Sequence, residues 1–249
     1  MERTYRDVYE SLYREHWWWR AREALVLETA RRLLPAAPGS RAILDVGCGN
    51  GLLFDALAGL GDVEGVEPAE DLVDPRGPHR RRIHVRQFDR GFAPPRRYGL
   101  VLMLDVLEHM DDPAGALNHA IGLLETGGLV IATVPAFRVL WTRHDDLNQH
   151  RTRFTRRSFR RLAQEAGLRV LEERYFYHWL FWAKLVARAT ERLTPGNAEP
   201  AIPRVPPAWL NRLLLLASRA EQRLARPVAL PFGSSLLVVG TAAAGARGS

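Results

Sequence analysis

The chain has 249 residues, of which 47% are hydrophobic, so it can fold as one large domain or two small ones around a core of ordinary size. This composition excludes disordered and fibrous proteins. The formal net charge of +7 is unevenly spread, since residues 136–226 carry 18 basic and 8 acidic side chains. That excess indicates an anionic partner or a solvated basic face.

The chain contains one cysteine, Cys48, so no disulfide can form within it and nothing indicates an oxidising compartment. Residues 1–14 lack the apolar segment of a secretory signal, and no apolar run approaches the roughly 18 residues that span a bilayer. We therefore expect a cytoplasmic protein and leave open peripheral contact with the inner face of the membrane.

The first 135 residues alternate between helix and strand patterns. The predicted elements are helix 5–34, strand 41–46, helix 52–60, strands 63–66, 83–85 and 98–106, helix 113–124 and strand 129–134. Strand 98–106 is nearly all apolar, as in a strand buried on both faces of a parallel sheet. The alternation predicts a doubly wound, Rossmann-like α/β sheet, for which we expect seven strands.

The second part of the chain departs from this alternation. A polar, basic segment precedes a helix capped by Thr155, a strand over 168–176, apolar helices near 177–193 and 209–225, and a strand over 234–241. We predict four regions: an N-terminal helical region (1–38), a core (39–176) with a substrate loop (135–154), a helical cap insertion (177–232), and the last strand with a flexible tail (233–249).

The most informative segment is a glycine-rich turn between the first strand and the next helix, Ile43-Leu-Asp-Val-Gly-Cys-Gly-Asn-Gly51. Glycines allow a tight turn and close approach to a ligand, and the N-terminus of the next helix offers free N–H groups. The spacing is G-x-G-x-G, which disfavours the nicotinamide cofactors bound by G-x-G-x-x-G.

Acidic residues follow the next two predicted strands. Glu67 lies about twenty residues after the glycine turn, where nucleotide-binding α/β folds place a carboxylate on ribose hydroxyls. Asp89 could accept a hydrogen bond from an adenine amine. Either acid alone could be a solvated loop carboxylate, but their succession at strand ends favours an adenosine-containing ligand.

Four segments resemble, in order, the motifs of class I S-adenosylmethionine-dependent methyltransferases of the type 11, UbiG-like branch: residues 44–51, 65–68, 88–89 and 104–109. The resemblance implies S-adenosylmethionine as cofactor and S-adenosylhomocysteine as product. In this family the glycine turn lines the methionine portion, and the later motifs surround the ribose, the adenine and the sulfonium. The implied cofactor-binding residues are Asp45, Gly47, Cys48, Gly49, Glu67, Pro68, Phe88, Asp89, Leu104, Asp105 and Val106.

The predicted substrate loop carries candidates for acid–base chemistry. His144, Asp145 and His150 could supply a histidine base held by a carboxylate, as deprotonation of a hydroxyl requires. They could also be metal ligands or structural residues, and we predict no metal. Glu108-His109 could orient the substrate, act as a base, or cap the following loop.

Candidate substrate contacts are His109, Trp141, Arg151 and Arg153. Guanidinium groups suit phosphate, so some arginines between 151 and 161 could hold a phosphorylated or pyrophosphate-linked substrate. This loop, with Trp17-Trp-Trp-Arg20 and the segment 230–236, resembles bacterial methyltransferases associated with glycan and lipid-linked sugar assembly.

Two aromatic segments lie outside the cofactor motifs. Trp17, Trp18 and Trp19 are spaced roughly 100° apart around a helix, so one buried stripe cannot hold all three. In similar methyltransferases an aromatic N-terminal lid covers the cofactor, and packing against the cap insertion is the alternative. Helices 177–193 and 209–225 combine aromatics with arginines, which suits an anionic membrane surface, a hairpin over the substrate pocket or a homodimer face.

These observations together predict an S-adenosylmethionine-dependent methyltransferase that O-methylates a saccharide, a lipid-linked glycan or a related small metabolite. The expected partner is a small-molecule or lipid-linked acceptor. One alternative is a nucleic-acid methyltransferase, which the arginines favour but which is disfavoured by the lack of a recognisable RNA-binding module. Another is a non-catalytic protein that binds S-adenosylmethionine or a membrane.

Overall fold

A computed structural model describes residues 5–34, 41–193 and 204–243. The strands within these residues are β1 (Ala42–Val46), β2 (Asp62–Glu67), β3 (Ile83–Val85), β4 (Tyr98–Leu104), β5 (Leu124–Pro135), β6 (Leu168–Phe176) and β7 (Ser235–Ala242). The helices are α1 (Tyr5–Glu15), α2 (Trp17–Leu33), α3 (Phe54–Leu57), α4 (Pro113–Gly122), α5 (Arg143–Leu147), α6 (Arg156–Ala166), α7 (His178–Leu193) and α8 (Ala208–Leu224).

The seven strands of the described residues form one sheet in the order β3-β2-β1-β4-β5-β7-β6. Strand β7 pairs antiparallel with β5 and β6, and the other pairs are parallel. One face of the sheet packs against α4 and α6, and the other packs against α2 and α3. The predicted doubly wound, Rossmann-like fold is confirmed, and the carboxyl ends of β1, β2 and β4 meet at the edge where the implied cofactor motifs lie.

Three predicted elements differ from the structure. The single helix predicted over 5–34 is two helices, because His16 adopts an extended conformation and its side chain accepts from the Trp18 N–H, which starts α2. The helix predicted over 52–60 is regular only over Phe54–Leu57. Strand β5 begins at Leu124, so Gly127 and Gly128 lie inside a strand and do not precede it.

Gly128 explains this difference, because a Cβ there would lie 2.7 Å from the Tyr98 carbonyl oxygen, so only glycine lets β5 approach β4 this closely. The helix predicted to be capped by Thr155 is confirmed: Thr155 accepts from the Ser158 N–H, and the helix ends at Gly167, which has φ +78°. The end of the predicted N-terminal region (1–38), the middle of the predicted cap insertion (177–232) and the end of the predicted tail lie outside the described residues.

The N-terminal helices contact the cap helices directly. Asn211 of α8 accepts from the Trp17 N–H at 2.9 Å and donates to the Glu15 carbonyl at 2.8 Å, which fixes the junction of α1 and α2. The Trp17 ring is buried against Tyr177 and Trp179, while Trp18 stacks on Tyr177. Packing against the cap insertion, the alternative considered for the three tryptophans, is therefore present.

In residues 5–34, 41–193 and 204–243, no helix combines the length and the apolar character needed to cross a bilayer.

Candidate active site

The glycine turn after β1 depends on backbone conformations that side chains disfavour. Gly47, Gly49 and Gly51 have φ values of +73°, +53° and +73°. A Cβ on Gly47 would lie 2.7 Å from Val106 Cγ2, whereas a Cβ on Gly49 would meet only the Tyr9 ring, at 4.0 Å. The turn therefore packs tightly against the end of β4 and leaves open space beneath the N-terminal helix.

Two buried carboxylates support this turn. Glu67, at the end of β2, accepts from the Gly49 N–H and the Ala69 N–H, each at 2.9 Å, and burial raises its pKa. Asp45, in β1, is buried, and burial together with the negative charge of Glu67 raises its pKa to about 7.

The remaining cofactor candidates surround the same edge. Phe88 is buried against Phe92 and His119, and the exposed Asp89 accepts from the Gly91 N–H at 2.8 Å. Cys48 is buried, and a Cβ on Gly65 would lie 2.5 Å from its Sγ. The other candidates are the exposed Pro68 after β2, and Leu104 and Val106 at the end of β4. Open glycine backbone, a ribose-type carboxylate and an aromatic ring suit an adenosyl ligand.

An ion pair that sequence analysis missed lies at the end of β4. The carboxylate of Asp105, which has φ +55°, binds the guanidinium of Arg22 from α2 and accepts from Thr133 Oγ1 at 3.2 Å. Arg22 is buried, and its guanidinium lies 5.0 Å from the Trp18 ring centroid. In the sequence, Arg22 is a charged residue between the apolar residues Ala21 and Leu25, and this position was the signal that could have revealed the contact.

On the other side of β4, the substrate loop is organised by one buried carboxylate. Asp145, the third residue of α5, accepts from His150 Nδ1 at 2.8 Å and from Arg153 at 2.8 and 3.0 Å. It also accepts from the Thr142 N–H at 2.9 Å. Burial acts to raise the pKa of Asp145, but the hydrogen bonds from His150 and Arg153 outweigh it and lower the pKa.

The structure thus brings together two of the three predicted catalytic residues. Asp145 orients His150, while His144 is exposed and takes no part in the contacts of the carboxylate. Partial desolvation of its imidazole by the surrounding protein atoms, together with the nearby charge of Lys184, lowers the pKa of His144. His109 lies beside His150, with a ring-centroid distance of 4.9 Å.

Glu108 completes this group. It is fully buried in a 3₁₀ turn over Leu107–His109, and neither of its carboxylate oxygens has a hydrogen-bond partner among the described residues. Glu108, His109 and His150 each place a ligand atom within 4.8 Å of the others. A carboxylate and two imidazoles form a donor set that could hold a divalent cation.

The predicted substrate contacts have other partners in the structure. Arg153 is buried and, besides Asp145, donates to the Ala136 carbonyl at 2.9 Å. Arg151 donates to the His109 carbonyl at 3.0 Å and pairs with Asp111 at 2.6 Å. Trp141 Nε1 donates to Asp146 at 2.8 Å.

Lys184 of α7 is a second residue that sequence analysis missed. Burial and the positive charge of Arg153 lower its pKa to about 8, and Asp145 and Asp105 partly offset this effect. The single lysine of the chain lies in a mainly apolar helix, and that position was the signal that it faces the site.

The backbone around the substrate loop is also unusual. Asp105, Phe137, Gln149 and Tyr177 are non-glycine residues with φ between +55° and +58°. Such conformations cost free energy and tend to be found where function over-determines the structure. All four lie beside β4, the predicted substrate loop or the start of the cap.

Residues 18–173 match a family model described as a methyltransferase domain. The chain belongs to the class I S-adenosylmethionine-dependent methyltransferases. The predicted enzyme class and the predicted S-adenosylmethionine cofactor are thereby confirmed.

The methyltransferase is 34% identical over 98 residues to a ubiquinone biosynthesis O-methyltransferase from Methylococcus capsulatus, covering 36% of this chain and 41% of that protein. It is 29% identical over 114 residues to the mitochondrial ubiquinone biosynthesis O-methyltransferase of Candida albicans, covering 41% and 35%. These matches span less than half the length of either relative. A methyltransferase structure from Archaeoglobus fulgidus superposes with a TM-score of 0.56 at 16% identity, covering 95% of this chain and 99% of that one.

Proposed function

We propose that this methyltransferase O-methylates a hydroxyl of a saccharide, a lipid-linked glycan or a related small metabolite. S-adenosylmethionine, when bound, supplies an electrophilic methyl group on its sulfonium sulfur. The acceptor oxygen bonds to the methyl carbon as the bond from that carbon to sulfur breaks and S-adenosylhomocysteine leaves. The acceptor also loses its proton, so the site needs a base beside it. The observation that carries this proposal is the hydrogen bond between His150 Nδ1 and Asp145, at 2.8 Å.

His150 is the base in this proposal, and Asp145 is its positioning residue. Because the Asp145 carboxylate accepts from Nδ1–H, the Nε2 atom of His150 is left to take the acceptor proton. Arg153, which we predicted to bind substrate, is assigned a positioning role here, since its guanidinium donates to both carboxylate oxygens of Asp145. The predicted role of His144 as a base is not carried forward, because Asp145 orients His150.

Several observations support the choice of acceptor. The curated relatives are O-methyltransferases by name, which favours oxygen as the acceptor atom. The saccharide class rests on the resemblance of the substrate loop and the segments flanking the core to glycan-associated methyltransferases. The contacts of Arg151 with His109 and Asp111 indicate that this arginine shapes the loop.

The buried, unpaired carboxylate of Glu108 favours a second arrangement of the same O-methylating site. In it, Glu108, His109 and His150 would hold a divalent cation, which would supply Lewis-acid activation of the acceptor hydroxyl. The first arrangement needs a free His150, whereas the second needs all three side chains as ligands.

The experiment incubates the purified enzyme and labelled S-adenosylmethionine with a fractionated cell extract. We expect label in saccharide or lipid-linked material, and label in RNA would overturn the proposal. With the labelled fraction as substrate, His150→Asn is expected to lower kcat by about a hundredfold or more, and the control His144→Asn by less than about threefold. Loss of activity with EDTA, restored by a divalent cation, would select the second arrangement.

We further propose that the N-terminal helices form a lid over the cofactor. Tyr9 of α1 faces Gly49 of the glycine turn, and Arg22 of α2 binds Asp105 at the end of β4. Substitution Arg22→Met is expected to weaken S-adenosylhomocysteine binding, and unchanged affinity in calorimetry would contradict the lid.

Peripheral contact with an anionic membrane is also proposed, through the outer face of α8. Trp209, Leu213 and Leu216 are 70%, 55% and 56% exposed and lie on one face. Arg212, Arg219 and Arg223 are exposed beside them, while Glu221 turns inward to His178 at 2.9 Å. An apolar helix face with arginines beside it suits anionic lipid.

Co-sedimentation with vesicles tests this contact. We expect binding to phosphatidylglycerol vesicles that is lost in Trp209→Ser/Leu213→Ser, and no binding to phosphatidylcholine vesicles. If the same substitutions instead convert a dimer to a monomer, the face is a homodimer interface and the membrane proposal is wrong. The cytoplasmic location stays a prediction.

A further inference from the structure

A groove of about 930 Å³ lies on the outer side of α2, between α2, α3 and α8. Its walls contain none of the residues assigned above to the cofactor or to the acceptor, so it is separate from both sites. Its apolar lining residues are Ala24, Leu27, Leu52, Ala56 and Leu215.

Arginines dominate the rim of this groove. Two of them are already paired, Arg14 with Glu10 at 2.8 Å and Arg32 with Glu172 at 2.5 Å. Three others, Arg31, Arg219 and Arg223, line the groove without an acidic partner in the part of the chain that the structure describes, while Arg20 interacts electrostatically with Glu23.

The acidic residues of the groove do not offset these charges. Glu28 pairs with Arg226 at 3.7 Å, and Asp55 lies 3.4 Å from His79. Glu23 is hydrogen-bonded to the buried Tyr13 of the wall. Each acid therefore has a partner of its own, and the groove keeps three guanidinium groups without an acidic partner around an apolar floor.

We propose that this groove binds a phosphorylated amphiphile, with its phosphate or diphosphate on the unpaired arginines and its apolar chain along the floor. Guanidinium groups bind phosphate oxygens in a bidentate manner, and a floor of alanine and leucine excludes water from a hydrocarbon chain. The volume lies within the range of sites that enclose a small ligand.

The two faces of α2 give this site a defined relation to the enzyme. One face turns Arg22 toward Asp105 at the cofactor edge, and the opposite face carries Arg20, Ala24 and Arg31 into the groove. The amphiphile therefore lies one helix away from the reacting atoms. It anchors the enzyme to its ligand and is not itself methylated there, so the site goes beyond the proposed methyl transfer.

Calorimetry with three probes tests the proposal: farnesyl diphosphate, inorganic pyrophosphate and farnesol. Farnesyl diphosphate is expected to bind at least about tenfold more tightly than either of the others, because it alone uses both the arginines and the floor. Equal affinity for pyrophosphate would reduce the groove to a free anion site, and equal affinity for farnesol would remove the role of the arginines. Either result overturns the proposal.

Two variants locate the binding. Arg219→Glu/Arg223→Glu is expected to weaken farnesyl diphosphate binding by about tenfold or more, whereas the matched control Arg157→Glu/Arg161→Glu, with the same charge change on exposed positions of α6, should leave it unchanged. Ala56→Phe fills the floor and should remove the preference over pyrophosphate. Equal losses in both charge variants would contradict the groove.

S-adenosylhomocysteine affinity, measured in parallel, separates this proposal from the proposed function. It should be unchanged in Arg219→Glu/Arg223→Glu, because both arginines belong to α8, whereas the glycine turn and Glu67 lie at the ends of β1 and β2. Loss of both affinities would indicate that the variant is misfolded, and the Ala56→Phe variant then decides the question.

Discussion

The two sides of the active site are built in different ways. On the cofactor side, the glycine turn after β1 offers backbone N–H groups, and close packing of Gly47 against Val106 leaves no room for an added methyl group. On the side that we propose binds the acceptor, side chains of the substrate loop gather around Asp145 and are joined to the cap by Arg188 of α7. We therefore expect the cofactor side to lose function when a substitution adds atoms to the glycine turn. We expect the acceptor side to lose function when a substitution removes a charge.

Two buried aspartates show the same contrast in electrostatic terms. Asp45 lies beneath the glycine turn near the negative charge of Glu67, and burial raises its pKa to about 7. Asp145 is equally buried but receives hydrogen bonds from His150 and Arg153, so its pKa is lowered. One carboxyl group is held close to neutrality, while the other is kept ionised as the partner of a histidine.

The largest effect is expected for Asp145→Asn. An amide cannot hold His150 with the same hydrogen bond and leaves the Arg153 charge buried without its partner, so we expect kcat to fall by about a hundredfold to a thousandfold. The pH profile of kcat should change as well, because the base no longer faces an ionised carboxylate.

The matched control for that variant is Asp146→Asn, at an exposed neighbouring acid whose contact is with Trp141. It should retain kcat to within about threefold. A lowered kcat with an unchanged pH profile in Asp145→Asn would mean that Asp145 serves only the stability of the loop.

A smaller but large effect is expected for Gly47→Ala. The added Cβ would lie 2.7 Å from Val106 Cγ2 at a φ of +73°, so the turn must move, and we expect S-adenosylhomocysteine to bind about a hundredfold more weakly. The control is Gly59→Ala, where a Cβ meets no atom within 4 Å. Partial recovery in Gly47→Ala/Val106→Ala would attribute the loss to this contact, and equal losses in both glycine variants would contradict it.

The same division explains what could be predicted from the sequence. The cofactor side follows from local spacing, because glycines of one turn and acids at the ends of successive strands must meet where parallel strands end. The pattern of residues 41–109 was therefore sufficient to predict the fold, the family and a set of candidate cofactor contacts. Gly47 and Glu67 are examples, since Gly47 packs against Val106 at the end of β4 and Glu67 accepts from the Gly49 N–H.

The acceptor side depends on contacts between distant segments, which local patterns do not encode. Arg22 meets Asp105 across 83 positions of the chain, and Lys184 reaches the site from a cap helix whose packing depends on α2. Within the substrate loop, the choice between His144 and His150 depends on the direction of side chains around the short helix α5, and spacing alone left both open.

The pH dependence of stability sharpens the contrast between the two aspartates. The pKa of Asp45 rises from 3.8 to about 7 on folding, so its contribution to the free energy of unfolding is present below pH 3.8 and is lost as the pH rises through about 7. Between pH 5 and pH 8 we expect this loss to be on the order of 2 kcal/mol in the protein without cofactor.

Denaturant unfolding of Asp45→Asn at both pH values checks this expectation. The variant should lack this loss and be more stable than the unmodified protein at pH 8, because an amide has no charge to bury. Asp89→Asn, at an exposed acid, is the control and should follow the unmodified protein. If the free energy of unfolding falls equally with pH in all three proteins, the charge of Asp45 is stabilised in the folded state and the expected loss is wrong.

The smallest effect is expected where the cap meets the substrate loop. Arg188 of α7 donates to the carbonyl oxygens of Arg138, Val139 and Trp141 at 2.9, 2.8 and 3.1 Å, so it holds the loop from outside without touching the Asp145 cluster. Arg188→Ala should raise the KM for the acceptor by about threefold to tenfold and leave S-adenosylhomocysteine affinity unchanged. Arg157→Ala, on exposed α6, should alter neither quantity. If cofactor affinity falls together with acceptor affinity in Arg188→Ala, the two sides are coupled through the cap, and the division between backbone-built and side-chain-built halves does not hold.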